Sequence, residues 1–227
     1  MVGHDNGRAG SVPTTEHELE HDDTAYGHFR PAGPLASLPL PGRRSALVWA
    51  EDPAAARDYA AMDMEAVAPV IEAVMGSSLG KVTLEAQIQL FPLHMQLARD
   101  FVSDRLALIG DAAHVVHPVA GQGMNLGLKD VAALAEVVVE ALRLGQDPGG
   151  ADVLERYQRW RRFDTALMAM VTDTMTRLFS NDVAILRAVR DLGLGVVDRL
   201  TPVKSALIRQ AAGIGGSTPK LLRGAGL

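Results

Sequence analysis

The sequence contains no cysteine. Disulfides, thiolate nucleophiles and Cys-ligated zinc or iron–sulfur sites are therefore excluded, and the absence suits a reducing compartment. Aromatic residues are scarce, at 4% of 227 residues, while hydrophobic residues reach 48%. A sizeable core is affordable, but it has to be built mainly from Ala, Val, Leu and Met. There is no basic excess either: the formal net charge is −5 and the sequence pI ≈ 5.8. Phosphate binding needs a basic face, so nucleic acid is not the expected partner. No apolar run approaches the roughly 18 residues of a membrane span. The first residues, MVGHDNGRAG, are polar and form no signal-peptide core.

What is present divides the chain into a strand-rich first part and a helical second part. Over residues 1–60, Pro31, Gly33, Pro34, Pro39, Pro41, Gly42, Asp52 and Pro53 punctuate short apolar stretches such as Leu35–Leu40 and Ser45–Ala50. That spacing predicts an antiparallel or mixed sheet. Pro13 predicts an edge strand or a bulge for the first strand. Residues 63–75 predict a helix capped by Asp63 and stopped by Gly76, with Met64, Val67, Ile71 and Val74 on one side and a kink at Pro69. Residues 82–98 read as one long extended segment and 105–109 as a buried strand. A helical stripe of Leu128, Val131, Leu134, Ala135, Val138 and Leu142 marks residues 124–144. After QDPGG at 146–150, helices are predicted over 151–178, 182–200 and 203–211, with a Gly-rich tail from Gly213 that frays.

The chemistry lies between Leu108 and Asp130. There a strand leads to an acidic turn at Gly110 and Asp111, a Gly-rich loop, and a helix. A carboxylate just past a strand, here Asp111, can accept hydrogen bonds from sugar-like hydroxyls. Gly121, Gln122, Gly123 and Met124 offer backbone N–H groups at a helix start, where about half a positive elementary charge resides. By itself such a unit is more often plain α/β architecture than a cofactor site. His114 and His117 stand at i, i+3 in a Pro-containing loop without an adjacent carboxylate, which favours a structural role over a metal.

Together, GDAAH at 110–114, HP at 117–118 and GQGMNLGLKD at 121–130 closely resemble the second FAD fingerprint of the p-hydroxybenzoate hydroxylase-like flavoprotein monooxygenases. The likeness is greatest to the branch that hydroxylates polyprenylphenols in ubiquinone biosynthesis. TEHELEHD at 15–22 and FRPAGPLASLPLPGRRSALVW at 29–49 resemble that branch's substrate-domain strands, and RDLGLGVVDRLTPVKSALIRQAAG at 190–213 its C-terminal helices. The resemblance implies an α+β fold: an incomplete α/β FAD domain, a mixed substrate-domain sheet and C-terminal helices. It implies residues 1–100 as substrate-domain strands with one helix, 101–145 as the C-terminal segment of the FAD-binding domain, and 146–227 as a helical region. It also implies FAD as cofactor, NAD(P)H as reductant and a prenylated phenol as substrate. Asp111, with Gly110, would contact the ribitol or phosphate side of FAD, Pro118 the flavin ring, and Gly121 to Asn125 (Gln122, Gly123 and Met124 included) the pyrimidine edge. No side chain is assigned a catalytic role, because the cofactor carries the hard chemistry.

The family's first fingerprint, G-x-G-x-x-G, is absent. Gly7-Arg-Ala-Gly10 has the wrong spacing, and Gly213-Ile-Gly-Gly216 lies in the tail. Met1 is thus expected to fall in the middle of a family member, through truncation, a miscalled start or deliberate fragmentation. The strand at 105–109 is expected to lack its parallel neighbours. Alternatives are another flavoprotein of this fold acting on an apolar substrate, or a non-catalytic fragment binding a lipid or partner. Ubiquinone-biosynthesis proteins or a second copy are the partners to expect, in a cytoplasmic location with room for a peripheral contact at the inner membrane.

The remaining features have plain readings. Glu16 to Asp23, with His17 and His21, reads as a solvated edge strand and turn. Glu51 and Asp52 face opposite ways and make a poor acid–base pair. Arg159, Arg161 and Arg162 beside Trp160 read as a solvated helix face with the option of a membrane-surface contact. Met168, Met170 and Met175 read as core, and His94 and Met95 as cavity border or core.

Overall fold

The computed structural model describes residues 2–116, 122–179, 201, 202, 205 and 218–227. The chain divides into two compact units, one containing Asp5–His94 and the other Met95–Met175 together with the C-terminal residues 218–227. The helices expected over 182–200 and, apart from residue 205, over 203–211 lie outside the described residues.

The first unit is a mixed-length antiparallel sheet covered by helices. Its strands are β1 (Val2–Ser11), β2 (Thr14–His17), β3 (Tyr26–His28), β4 (Leu35–Leu40), β5 (Arg44–Glu51), β6 (Val82–Leu84) and β7 (Leu90–Leu97). The apolar stretches read from the sequence are β4 and β5, which pair from Leu35↔Trp49 to Leu40↔Arg44. Leu35, Ser37, Ser45, Leu47 and Trp49 alternate inward, as a half-buried sheet requires, and Ala50 and Glu51 at the end of β5 are buried as well.

Pro13 does not mark an edge or a bulge. Ser11 faces Trp49 and Thr14 faces Ala46, so β1 and β2 run along β5 in one unbroken register. The Pro13 carbonyl still accepts from the Leu47 N–H (2.9 Å). Proline deletes only the reciprocal bond of that pair, which interrupts the ladder without shifting it. β2 also pairs β6 on its other side, so the acidic 16–23 segment does not begin as an edge strand. Its glutamates point outward, but His17 and His21 are buried. His17 bonds Leu19 O and Ser45 Oγ, and His21 Nε2 donates to Leu40 O.

Two helices follow β5. The first, α1 (Pro53–Ala61), was not expected, although its signal is in the sequence: Asp52 caps Ala54 N–H (2.9 Å) and Pro53 occupies the first helical position. The second, α2 (Met64–Met75), matches the expected helix and ends at Gly76 with φ 71°. Asp63 occupies the N-cap position but makes no side-chain cap bond; its carbonyl alone starts the helix. Val67, Ala68, Ile71 and Met75 bury against Leu35, Leu47, Trp49, Val82 and Leu84, whereas Met64 is exposed. The long extended segment over 82–98 is two strands, β6 and β7, separated by residues 85–89. His94 is exposed and Met95 half-buried, so neither fills the core.

The second unit begins at the end of β7, where Gln96 and Leu97 pair with β10 (His114–Val115). A small hairpin joins β8 (Val102–Ser103) to β9 (Leu106–Ala107). The buried strand expected over 105–109 is therefore two residues long, and Leu106 and Ile109 are 49% and 40% exposed, because β8 is the only strand pairing with it among the described residues. Two long helices complete the unit, α3 (Gln122–Arg143) and α4 (Ala151–Phe179). Ala133, Val137 and Ala141 of α3 meet Val153 and Tyr157 of α4, with Phe101 and Ala113 in the same core.

The α3 helix is where the sequence places it, but its buried face is not the apolar stripe read there. Leu128, Val131 and Leu142 are at least half exposed, while Leu126, Asp130, Ala133, Val137 and Ala141 are buried. Small residues at i, i+4 steps let helices approach closely, and that face won over the bulkier one. Met168 is core as expected, Met170 is exposed, and the Met175 side chain lies outside the described residues. The C-terminal residues do not fray throughout: Lys220 donates its backbone N–H to Glu136 (2.7 Å) and its Nζ to Glu140 (2.7 Å). No helix among the described residues is long and apolar enough to cross a membrane.

Candidate functional site

The expected site residues collect in the second unit, around the start of α3. Gly110, Asp111 and Ala112 form a 3-10 turn that packs on α3. Gly110 has φ 57°, in the left-handed region that glycine adopts without strain. A Cβ built on Gly127 would lie 3.5 Å from Gly110 Cα, so turn and helix approach backbone to backbone. Asp111 projects from this turn and is exposed.

Gln122 opens α3, and Gly123, Met124 and Asn125 complete its first turn. The N–H groups of a first helical turn have no partner within the helix. Among the described residues nothing lies within 4 Å of the position a Gly123 Cβ would take, and Met124 is 74% exposed. Pro118 and Gly121 lie outside the described residues, as does His117. The structure therefore brings Asp111 and the first turn of α3 onto one packed pair of elements.

Beneath this surface lies a charged network that sequence reasoning missed. Asp130 is fully buried. Its Oδ2 accepts from Gly110 N–H (3.0 Å) and from His114 Nε2 (2.6 Å). Its Oδ1 accepts from Arg161 Nε (2.7 Å). Burial alone would raise the Asp130 pKa, but the bonds from His114 and Arg161 outweigh it and hold the carboxyl below its ordinary range. Arg161 reaches Asp164 as well (2.9 Å). Tyr157 donates to Leu108 O (2.7 Å), and burial, aided by Asp130, pushes its phenol up. Lys129 is also buried, and desolvation pulls its ammonium pKa down.

Arg161 thus contradicts the reading of 159–162 as a solvated face. Arg159 and Arg162 are exposed, but Arg161 is wholly enclosed. The signal was available in the spacing. Val153, Tyr157, Arg161, Thr165, Met168 and Thr172 form one line in steps of three or four residues, all buried, and Asp130 holds the equivalent place on α3. A charge at a core-facing position needs a partner of opposite sign. His114 spends its Nε2 inside this network and packs against the Phe101 ring at 6.0 Å between centroids, a structural role.

The first unit supplies a separate recess lined by Ser11, Trp49, Glu51, Tyr59, Ile88 and Leu90. Glu51 is buried there with Arg30 (2.7 Å) and Trp49 Nε1 (3.3 Å), while neighbouring Asp52 is exposed. The two carboxylates do point apart.

Residues 9–171 match the family described as FAD binding domain, nearly three quarters of the chain. The chain belongs to the FAD binding domain family. Among curated relatives, it is 46% identical over 221 residues to ubiquinone hydroxylase UbiL of Rhodospirillum rubrum, covering 96% of this chain and 52% of that protein. It is 39% identical over 197 residues to the 3-demethoxyubiquinol 3-hydroxylase of Escherichia coli K12, covering 87% and 50%. Among solved structures, p-nitrophenol 4-monooxygenase PnpA of Pseudomonas putida DLL-E4 superimposes with a TM-score of 0.74 at 17% identity, over 95% of this chain and 54% of that one. The combination of sheet and helices is thus the fold of an FAD-dependent monooxygenase, as expected. The chain spans about half the length of the curated relatives it matches.

The residues present suit the family's cofactor. An exposed carboxylate acceptor at Asp111 stands on a turn packed against α3, whose first-turn N–H groups have no partner within the helix. Hydroxyls of a ribityl chain want the former, and an anionic flavin edge the latter.

Proposed function

We propose that this chain forms the flavin-side part of an FAD-dependent monooxygenase that hydroxylates a prenylated phenol in ubiquinone biosynthesis, with NAD(P)H as reductant. The observation that carries this reading is Asp111, exposed on a turn packed against the helix that begins at Gln122. When bound, the flavin supplies the redox and oxygen chemistry. The chain's own residues bind and orient it. Asp111 and Gly110 take the ribityl side, and Pro118, Gly121, Gln122, Gly123, Met124 and Asn125 take the ring and its pyrimidine edge. The hydroxylase names of the relatives support the reaction and the substrate class.

A lipid-tailed substrate also gives a reason for the outer face of α4. Phe163, Leu167 and Met170 are exposed at i, i+4, i+7 behind Arg159 and Arg162, a combination suited to a peripheral contact with an anionic membrane surface.

The test is to co-express this chain with the part of the R. rubrum relative that it does not span. A yellow complex that oxidises NAD(P)H when a prenylphenol is supplied supports the proposal. Asp111→Ala in that complex should weaken FAD binding by about 10- to 150-fold, the equivalent of one charge-assisted hydrogen bond of about 1.5–3 kcal/mol. A complex that forms but never retains flavin refutes it.

A further inference from the structure

Packing two helices together needs only apolar side chains, and replacing a buried ion pair with them is often neutral or stabilising. A carboxylate does one thing an apolar side chain cannot: it grips a backbone N–H. Asp130 does this at Gly110, the residue immediately before Asp111. The same oxygen that holds Gly110 also holds His114, two residues past the turn. One buried carboxylate on α3 therefore ties down the turn from both ends. Arg161 and its own partner Asp164 fix that carboxylate from α4. With Gly127 in backbone contact at the same level, the turn has neither side-chain bulk nor slack between itself and the helix.

We propose that Asp130 is a positioning residue: it locks the Gly110–Ala112 turn onto α3, so that the Asp111 carboxylate and the first-turn amides of α3 meet a ligand as one rigid unit. Its relevance to FAD rests on the proposed function above. The clamp itself is a property of the chain without cofactor. Asp130→Asn is close to isosteric, yet either orientation of its amide turns an NH2 toward a donor, either Arg161 or the Gly110–His114 pair. The carboxylate's three donors cannot all be satisfied.

The experiment is amide-resolved NMR on the 15N-labelled 227-residue chain, first without and then with added FAD. Without FAD, the Gly110 amide should exchange as slowly as the core amides of α3, such as Ala133. In Asp130→Asn its exchange should quicken at least about tenfold more than that of Ala133. On titration with FAD, half-saturation of the Asp111 and Gly123 shifts should move about tenfold higher in Asp130→Asn. Asp111→Ala should add little to Asp130→Asn, because one acts through the other. Fast Gly110 exchange in the unmodified chain overturns the clamp, and this measurement decides the matter even where Asp130→Asn does not fold. Equal Gly110 exchange in the two proteins also overturns it, as do additive effects of the two substitutions on FAD. A Gly110 amide that behaves as expected in a chain giving no FAD shifts supports the clamp, and the flavin reading is then decided separately by the co-expressed complex.

Discussion

Replacing Arg161 with alanine is the sharpest perturbation of the second unit. Its side chain is fully enclosed, its Nε bonds Asp130 and its Nη1 bonds Asp164. Alanine would leave the Asp130 carboxylate buried with only His114 and Gly110 as donors. Breaking a buried pair from one side typically costs about 3–5 kcal/mol, because the abandoned charge keeps its desolvation penalty. Total stabilities run to only about 5–15 kcal/mol, so the variant should retain a small margin. With a urea slope of about 2 kcal/mol per molar, the unfolding midpoint should fall by roughly 2 M. The assay is urea titration followed by far-UV circular dichroism, which reads mainly α3 and α4. Arg162→Ala is the control one residue away. That side chain is half exposed and only 3.9 Å from Asp100 at best, so its effect should stay within about 0.5 kcal/mol. A loss below about 1 kcal/mol in Arg161→Ala would refute the account of the buried network.

Three further outcomes are expected. The pKa of Asp130 is lowered on folding, so it contributes stability above the ordinary carboxylate pKa of about 3.9 and loses it as pH falls through the lower folded value; acid titration should show this loss, and Asp130→Asn should abolish it. Gly33→Ala should destabilise the first unit by about 1–3 kcal/mol, since φ is 142° and a Cβ would sit 2.5 Å from Ala50 O; an unchanged thermal midpoint would contradict this. The 227-residue chain by itself should bind FAD about 10²- to 10⁴-fold more weakly than the full-length R. rubrum relative. The shortfall corresponds to two lost charge-assisted bonds of about 3–6 kcal/mol in total. Equilibrium dialysis would check it, and purification with stoichiometric flavin would contradict it.

Local chemistry was legible wherever one residue decides the outcome. The β4 and β5 strands, the α2 stop at Gly76, the α3 helix and the acidic turn at Gly110–Asp111 follow from turn residues, caps and periodicity, each acting within a few positions. The family likewise follows from a short dense motif, GDAAH through GLKD, whose residues are close in sequence because they surround one turn and one helix start. α1 is equally local, since Asp52-Pro53 supplies its cap and its first helical position.

Pairing across sequence distance was not legible. Pro13 forbids one bond, but only the partner strand shows that its remaining carbonyl keeps the register with Leu47. α3 carries two apolar faces, and the sequence favours the bulkier one. The choice fell to Ala133, Val137 and Ala141 because α4 is there to meet them. Arg161 reads as one of three surface arginines until Asp130, 31 residues away, is placed against it. A buried charge is stabilised only by a partner at hydrogen-bond distance, and that distance is set by the packing of α3 on α4 rather than by anything local to either helix.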